Sequence, residues 1–284
     1  MGPIALVTDS TAYLPSALVA QYGITVVPLY VNFGEESYRD NVDITPDEFY
    51  RRLPAARVMP STSQPSRGDF ATVYRRLMEQ GATAIISVHI SGGLSGTVSS
   101  ATMARDDVPE VPVYVVDSLS TSMGLGYQAL EAARQAEAGR PVEEIVRLLE
   151  AMRSRIRVDF VVDTLEFLHR GGRIGGAAAF LGSMLNLKPL LALRDGRIEA
   201  LERVRTKRRA VGRMLELVKG EMGDQPVRAA VLHAAALGEG SVLLEEVRET
   251  LDCRELHLAE VSPVIGTHAG PGTVGLVACP IVEG

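Results

Sequence analysis

The sequence predicts an α/β protein in two parts, an N-terminal parallel β/α domain and a C-terminal α+β domain. Three observations carry that prediction. The chain has 284 residues, more than one domain usually needs and fewer than three would take. Up to about residue 155, short apolar runs alternate with amphipathic stretches, as βα units do. Beyond that point two apolar runs flank Asp195-Gly196, a two-residue hairpin signal that a purely parallel pattern would lack. The expected domains are 1–156 and 157–284.

Taken in order, Ile4–Val7 reads as a strand leading into Asp9-Ser10-Thr11, and a helix follows over Pro15–Tyr22, stopped by Gly23. Ile24–Phe33 is the next strand. Thr45-Pro46-Asp47-Glu48 places an N-cap before a proline and opens a helix through Arg52. The proline-fenced loop Pro60–Ser66 precedes a helix to about Gln80, and Ala84–His89 is an apolar strand. Ser91–Thr97 is a polar loop ahead of a helix to Arg105. Val113–Val116 is a strand that ends on Asp117-Ser118. Helices over Thr121–Ala138 and Val142–Arg155 are separated by Gly139 and Pro141. The second half reads as a strand at Val158–Asp163, a short helix at Leu165–Arg170 and a glycine-rich segment to Gly182. The hairpin strands are Leu190–Leu193 and Ile198–Glu202. A helix over Lys207–Lys219 leads to strand, helix and strand at Ala229–Leu232, Ser241–Leu251 and Glu255–Val261. A glycine loop, Gly266–Gly272, and a strand at Val274–Ala278 follow.

Composition removes several function classes. The formal charge of −6 opposes non-specific nucleic-acid binding, which needs a basic surface to displace counterions. Aromatics are 5% and Trp is absent, so a base-stacking platform is not expected. Two cysteines without CxxC spacing, Cys253 and Cys279, point to neither a disulfide framework nor a zinc site, and a reducing cytoplasm is the simplest compartment. No secretory leader is read at the start and no apolar run approaches the ~20 residues of a membrane span. No His/Asp/Glu cluster has metal-ligand spacing.

The chemistry is therefore sought on loops that follow strands, where open α/β sheets bind ligands. Asp9-Ser10, Ser91–Thr97 and Asp117-Ser118 all have that placement. Thr62-Ser63-Gln64 offers hydroxyls and amides just ahead of a helix, which suits a carboxylate or phosphate, although capping by Ser66 explains part of the same loop. Gly93-Leu94-Ser95-Gly96-Thr97 falls short of a nucleophile elbow because Thr97 stands where a second glycine is required. Its glycines and hydroxyls suit anion binding better. Gly124-Leu125-Gly126-Tyr127-Gln128-Ala129 fits G-x-G-x-x-A, but no strand with an acidic end follows at the right distance, and close helix packing is the expected role. Arg173, among the glycines Gly171, Gly172, Gly175 and Gly176, has a guanidinium fork suited to a carboxylate or phosphate. His268 lies in the last glycine loop, where a structural role is the default. Arg203, Arg205, Lys207, Arg208, Arg209 and Arg213 form the only basic run, either a solvated helix face or a docking patch for an acidic group.

In their order along the chain these segments resemble the DegV family, which includes the FakB-type fatty-acid-binding subunits of bacterial fatty acid kinase. The matching pieces are Val7–Thr11, Thr62–Pro65, Leu94–Thr97, Val116–Ser118, Thr164–Leu168, Gly171–Gly175, Leu187–Pro189 and His268–Gly272. The resemblance implies a non-enzymatic lipid carrier with no cofactor beyond a bound long-chain fatty acid, its carboxylate at the domain interface and its tail in the C-terminal domain. Thr62, Ser63, Ser95, Gly96, Thr97, Arg173 and His268 would surround the head group. Ala177–Leu193, with Phe180, Leu181, Met184 and Leu185, would line the tail. The carrier would present the carboxylate to a separate kinase for acyl-phosphate formation in phospholipid synthesis. Arg205, Lys207 and Arg209 are the candidates for kinase or phosphate docking. The rival reading is a serine acyl-ester hydrolase using Ser95 and His268.

Overall fold

The computed structural model describes residues 3–182 and 187–281. In chain order the strands are β1 (Ile4–Asp9), β2 (Thr25–Val27), β3 (Tyr30–Phe33), β4 (Glu36–Arg39), β5 (Ser61–Ser63), β6 (Ala84–His89), β7 (Val113–Asp117), β8 (Arg157–Val161), β9 (Lys188–Arg194), β10 (Arg197–Val204), β11 (Val227–His233), β12 (Cys253–Glu260) and β13 (Val274–Pro280). The helices are α1 (Ser16–Gln21), α2 (Pro46–Arg52), α3 (Arg67–Glu79), α4 (Thr97–Ala104), α5 (Ser122–Glu137), α6 (Val142–Arg153), α7 (Glu166–Arg170), α8 (Lys207–Met222), α9 (Leu237–Thr250) and α10 (Pro263–Ala269).

Contacts divide the chain into two compact units, residues 1–30 with 62–154, and residues 31–61 with 155–284. The second unit thus takes up a segment that the sequence reading leaves in the first half. The first unit contains a four-stranded sheet of order β2-β1-β6-β7, parallel throughout. Strand β6 is buried at all six positions, as a central parallel strand covered on both faces should be. Its core joins Val7, Phe70, Tyr74, Ile85 and Ala101. The G-x-G-x-x-A segment lies inside α5, and a Cβ on Gly126 would meet the Ala12 carbonyl oxygen at 2.4 Å. Its glycine serves packing, as expected.

The second unit holds a six-stranded mixed sheet of order β10-β9-β8-β13-β11-β12, antiparallel except between β11 and β12. Asp195 and Gly196 have φ of 46° and 77°, the left-handed pair a tight hairpin turn requires. Val161, Leu190, Met214, Val231, Val247 and Leu276 belong to its core.

Several elements differ from the sequence reading. The single strand expected over 24–33 is two, β2 and β3, separated by Pro28, which has no amide hydrogen to offer a ladder. Strand β5 stands where loop was expected and β4 in a stretch given no element, with β4-β3-β5 forming a small sheet. The expected glycine loop at 266–272 is helical up to Ala269. Pro263 starts α10 in its first turn, and Gly270, at φ 78°, ends it.

Candidate functional site

The hydroxyl-bearing loops of the first unit come together. Gln64 packs on Gly96 so closely that a Cβ there would meet its amide nitrogen at 3.1 Å. This contact joins the Thr62–Gln64 segment to the Ser91–Thr97 loop. Ser66 does cap α3, in a capping box with Asp69, which leaves Thr62 and Ser63 outside the capping role. Ser95 Oγ and Thr97 Oγ1 are 2.8 Å apart, with Thr97 buried and Ser95 half-buried. Helix α4 begins at Thr97 with Gly96 as N-cap and no side chain capping it. The first amides of a helix have no partner within it, so Gly96, Thr97 and the hydroxyls beside them converge as donors where the helix dipole favours negative charge.

The amides just before them are already engaged. Ile90 N–H donates to Asp9 Oδ2 and Gly92 N–H to Asp117 Oδ2. Ser91 N–H reaches the Ser120 carbonyl, Gly93 N–H donates to Ser91 Oγ, and the Leu94 and Ser95 amides donate to the Ser91 carbonyl. Asp9 and Asp117 therefore brace the loop. Asp9 is fully buried, Ser10 Oγ accepts from Leu29 N–H, and Ser118 Oγ donates to the Ser120 carbonyl.

Sequence spacing missed a histidine pair. His89 Nδ1 lies 3.1 Å from Asp9 Oδ2, its Nε2 lies 2.6 Å from Ser87 Oγ, and Tyr74 OH is 2.8 Å from the same hydroxyl. The connectivity is that of a Ser-His-Asp triad, yet Asp9, Ser87, His89 and Tyr74 are all fully buried. No substrate reaches it. Burial also raises the Tyr74 phenol above its ordinary range, keeping it a donor. The signal available was alternation in β6, which puts Ser87 and His89 on one face. Asp9, 80 positions away, was beyond any local pattern.

In the second unit, α10 presents His268 against α7. A Cβ on Gly171 would lie 2.1 Å from His268 Nδ1, so the imidazole fills the space that glycine leaves. Arg173 Nη1 donates to the Gly171 carbonyl at 2.7 Å. Burial, and then the nearby Arg173 charge, push His268 down to about 4, so at neutral pH the ring is uncharged. Of the other glycines of this segment, Gly172 has open space and a φ of 69°, while Gly175 and Gly176 have packing reasons. Gly175, at φ 50°, sits where a Cβ would strike the Ile198 carbonyl, and Gly176 lies against the Glu199 carboxylate. Gly270 faces the Phe167 ring and Gly272 the Asp163 carboxylate.

The expected tail-lining stretch is partly described. Phe180 lies under the Arg203 guanidinium, 5.0 Å from its ring centre, Leu181 is exposed, and Leu190 and Leu191 are core residues of β9. Met184 and Leu185 lie outside the described residues. In the basic run, Lys207 is ion-paired with Asp163 and Glu239, and Arg213 with Glu202 and Glu216. The Arg205 and Arg209 side chains are exposed, and among the described residues no ion pair engages them. No group of three metal-ligating side chains occurs among the described residues, and no described helix is long and apolar enough to cross a membrane.

The model of the DegV family ("Uncharacterised protein, DegV family") matches residues 3–280. The chain belongs to the DegV family. A DegV domain-containing protein of Streptomyces coelicolor is 44% identical over 275 residues, covering 96% of this chain and 97% of its own. Among solved structures, a DegV family protein from Thermus thermophilus, described for its fatty acid binding, matches with TM-score 0.94 and 43% identity, covering 98% of this chain and all of that one. DegV of Bacillus subtilis, described as a fatty acid binding protein, matches with TM-score 0.91 and 37% identity over 99% of this chain and all of its own. The DegV relatives thus include fatty-acid-binding proteins, and the parallel and mixed sheets described above are the fold they share with this chain.

Proposed function

We propose that this protein binds a long-chain fatty acid and acts as a carrier without catalysis of its own. The observation that carries the reading is the match, over nearly the whole chain, to a Thermus thermophilus relative described as binding fatty acid. The site chemistry supports it. Thr62, Ser63, Ser95 and Thr97 are hydroxyl donors, and Gly96 and Thr97 add amides at an uncapped helix start. These are assigned to the carboxylate. Arg173 and the uncharged His268 are assigned to the same class of group, one as a cation and the other as a neutral hydrogen-bonding ring. The carrier would present its carboxylate to a separate cytoplasmic kinase, with the exposed Arg205 and Arg209 as docking or phosphate contacts and Lys207 fixing the helix that bears Arg209.

Serine-hydrolase chemistry has less support, because the Ser95 hydroxyl is paired with Thr97 Oγ1 rather than with a histidine. Denaturing extraction followed by mass spectrometry is the test. Purified protein should yield a stoichiometric fatty acid, and Thr62→Ala/Ser95→Ala should bind palmitate at least about tenfold more weakly, since each hydrogen bond to a charged group contributes roughly 1.5–3 kcal/mol. Protein that stays empty when offered palmitate or oleate contradicts the carrier reading. Hydrolysis of a nitrophenyl ester, lost in Ser95→Ala, would favour the enzyme.

A further inference from the structure

We infer that Asp9 and Asp117 are positioning residues for the anion-binding loop, two carboxylates that fix the Ser95 hydroxyl and the start of α4 without touching ligand. The inference rests on the assignment of that loop to the ligand carboxylate. Asp9 ends β1 and Asp117 ends β7, one on each side of β6, whose continuation is the loop itself. Asp9 Oδ2 accepts from Ile90 N–H at 2.9 Å, and Asp117 Oδ2 accepts from Gly92 N–H at 3.1 Å. These amides flank Ser91, and the Ser91 carbonyl in turn accepts the Leu94 and Ser95 amides at 2.9 and 3.0 Å. Ser95 is thus two hydrogen bonds away from each carboxylate. Gly92 lets Asp117 approach closely, since a Cβ there would sit 3.0 Å from Oδ2.

Both carboxylates are held from behind. Asp9 Oδ1 takes the Thr11 amide and hydroxyl at 3.0 and 2.6 Å, and Asp117 Oδ1 takes Leu119 N–H at 2.9 Å. A carboxylate oxygen can only accept, so His89 Nδ1 presents its hydrogen to Asp9, while Nε2 lies 2.6 Å from Ser87 Oγ, itself 2.8 Å from Tyr74 OH. An amide at position 9 presents an NH2 group either to Thr11 or to Ile90 and His89, so one set of donors loses its acceptor. The chemistry therefore demands aspartate at position 9, where an isosteric asparagine fits the same space.

Three substitutions and two measurements test this. Asp9→Asn and Asp117→Asn should each weaken palmitate binding about tenfold, with Thr62 and Ser95 intact. In ligand-free protein both should speed amide hydrogen exchange across residues 90–95, while the rest of β1 and β6 stays protected. In Asp9→Asn, imidazole nitrogen shifts should also report a change in the His89 tautomer. Ser87→Ala, which cuts the buried chain but leaves both carboxylate–loop bonds, should lower thermal stability and keep the affinity. Unchanged affinity in both Asn variants overturns the inference, as does an equal loss of affinity in Ser87→Ala. Failure of the wild type to take up palmitate would instead overturn the ligand assignment, and hydrogen exchange would still decide whether the two carboxylates set the loop.

Discussion

At the level of single residues, the sequence announces chemical types more readily than partners. Ser95, Thr97 and Thr62 stand out by their loops, and the structure pairs the first two hydroxyls and packs Gln64, two residues beyond Thr62, on Gly96. Asp9 and His89 do not stand out, because their pairing spans 80 positions and follows from strand order in the sheet. Glycines divide in the same way. Gly171 is visible as one of a cluster, but its reason, the His268 ring, comes from a helix nearly a hundred residues later. Its φ of −74° is one any residue adopts, so alanine is excluded by the imidazole and the Phe167 carbonyl alone. Gly171→Ala should displace His268 at an overpacking cost of about 1–3 kcal/mol. Pushed toward water, the ring should titrate closer to 6.5 than to the present value of about 4. Proton NMR titration of the imidazole checks this, and an unmoved titration would mean that the ring does not rest on Gly171.

Among elements, periodicity located most helices and the central strands, and it failed where a short element depends on its neighbour. Helix α10 is the instructive case. Glycine at 266 and 270 suggested a loop, yet Gly266 is helical, and it is glycine because the α2 side chains leave no room for anything larger. A Cβ there would meet Tyr50 OH at 2.5 Å and Phe49 at 3.1 Å, and the same Tyr50 hydroxyl donates to the Val261 carbonyl just ahead of the helix. Alanine should gain about 1 kcal/mol in helix propensity and lose about 1–3 kcal/mol to the clash. Tyr50→Phe removes the nearest clashing atom along with one buried hydrogen bond, a loss of about 1 kcal/mol alone. Gly266→Ala/Tyr50→Phe should therefore be less destabilised than the sum of its parts by more than about 0.5 kcal/mol. Denaturant unfolding of the four proteins measures that coupling. Strict additivity would show that the hydroxyl is not what excludes a side chain at 266.

For the molecule as a whole, the two-part α/β architecture was legible from alternation and one hairpin signal. The assignment of 31–61 to the second unit was not, because it rests on contacts such as Ser262 Oγ with Asp40 and Tyr50 with Val261, more than 200 positions apart. Charge buried by such folding appears only in the global response to pH. Asp159, fully buried in β8, has Arg194 at 3.3 Å and Arg157 at 3.7 Å but no hydrogen bond to its oxygens, and burial raises it to about 6. Its folded form holds a proton that the unfolded chain gives up near 3.8, so its contribution to stability is full below that value and is lost as pH rises through about 6. His268 runs the other way. Its folded value of about 4 lies below the unfolded 6.5, so its contribution is full above 6.5 and is lost as pH falls toward 4. Each amounts to something on the order of 3 kcal/mol, and between pH 4 and 6 the two oppose each other. The wild type should accordingly show a shallow stability profile across that window from this pair. Asp159→Asn leaves the histidine slope uncovered, so stability should climb steeply with pH. His268→Gln leaves the aspartate slope, so stability should decline over the same range. Thermal unfolding of the three proteins at several pH values reads both slopes, and parallel profiles would show that the two buried groups do not govern acid stability.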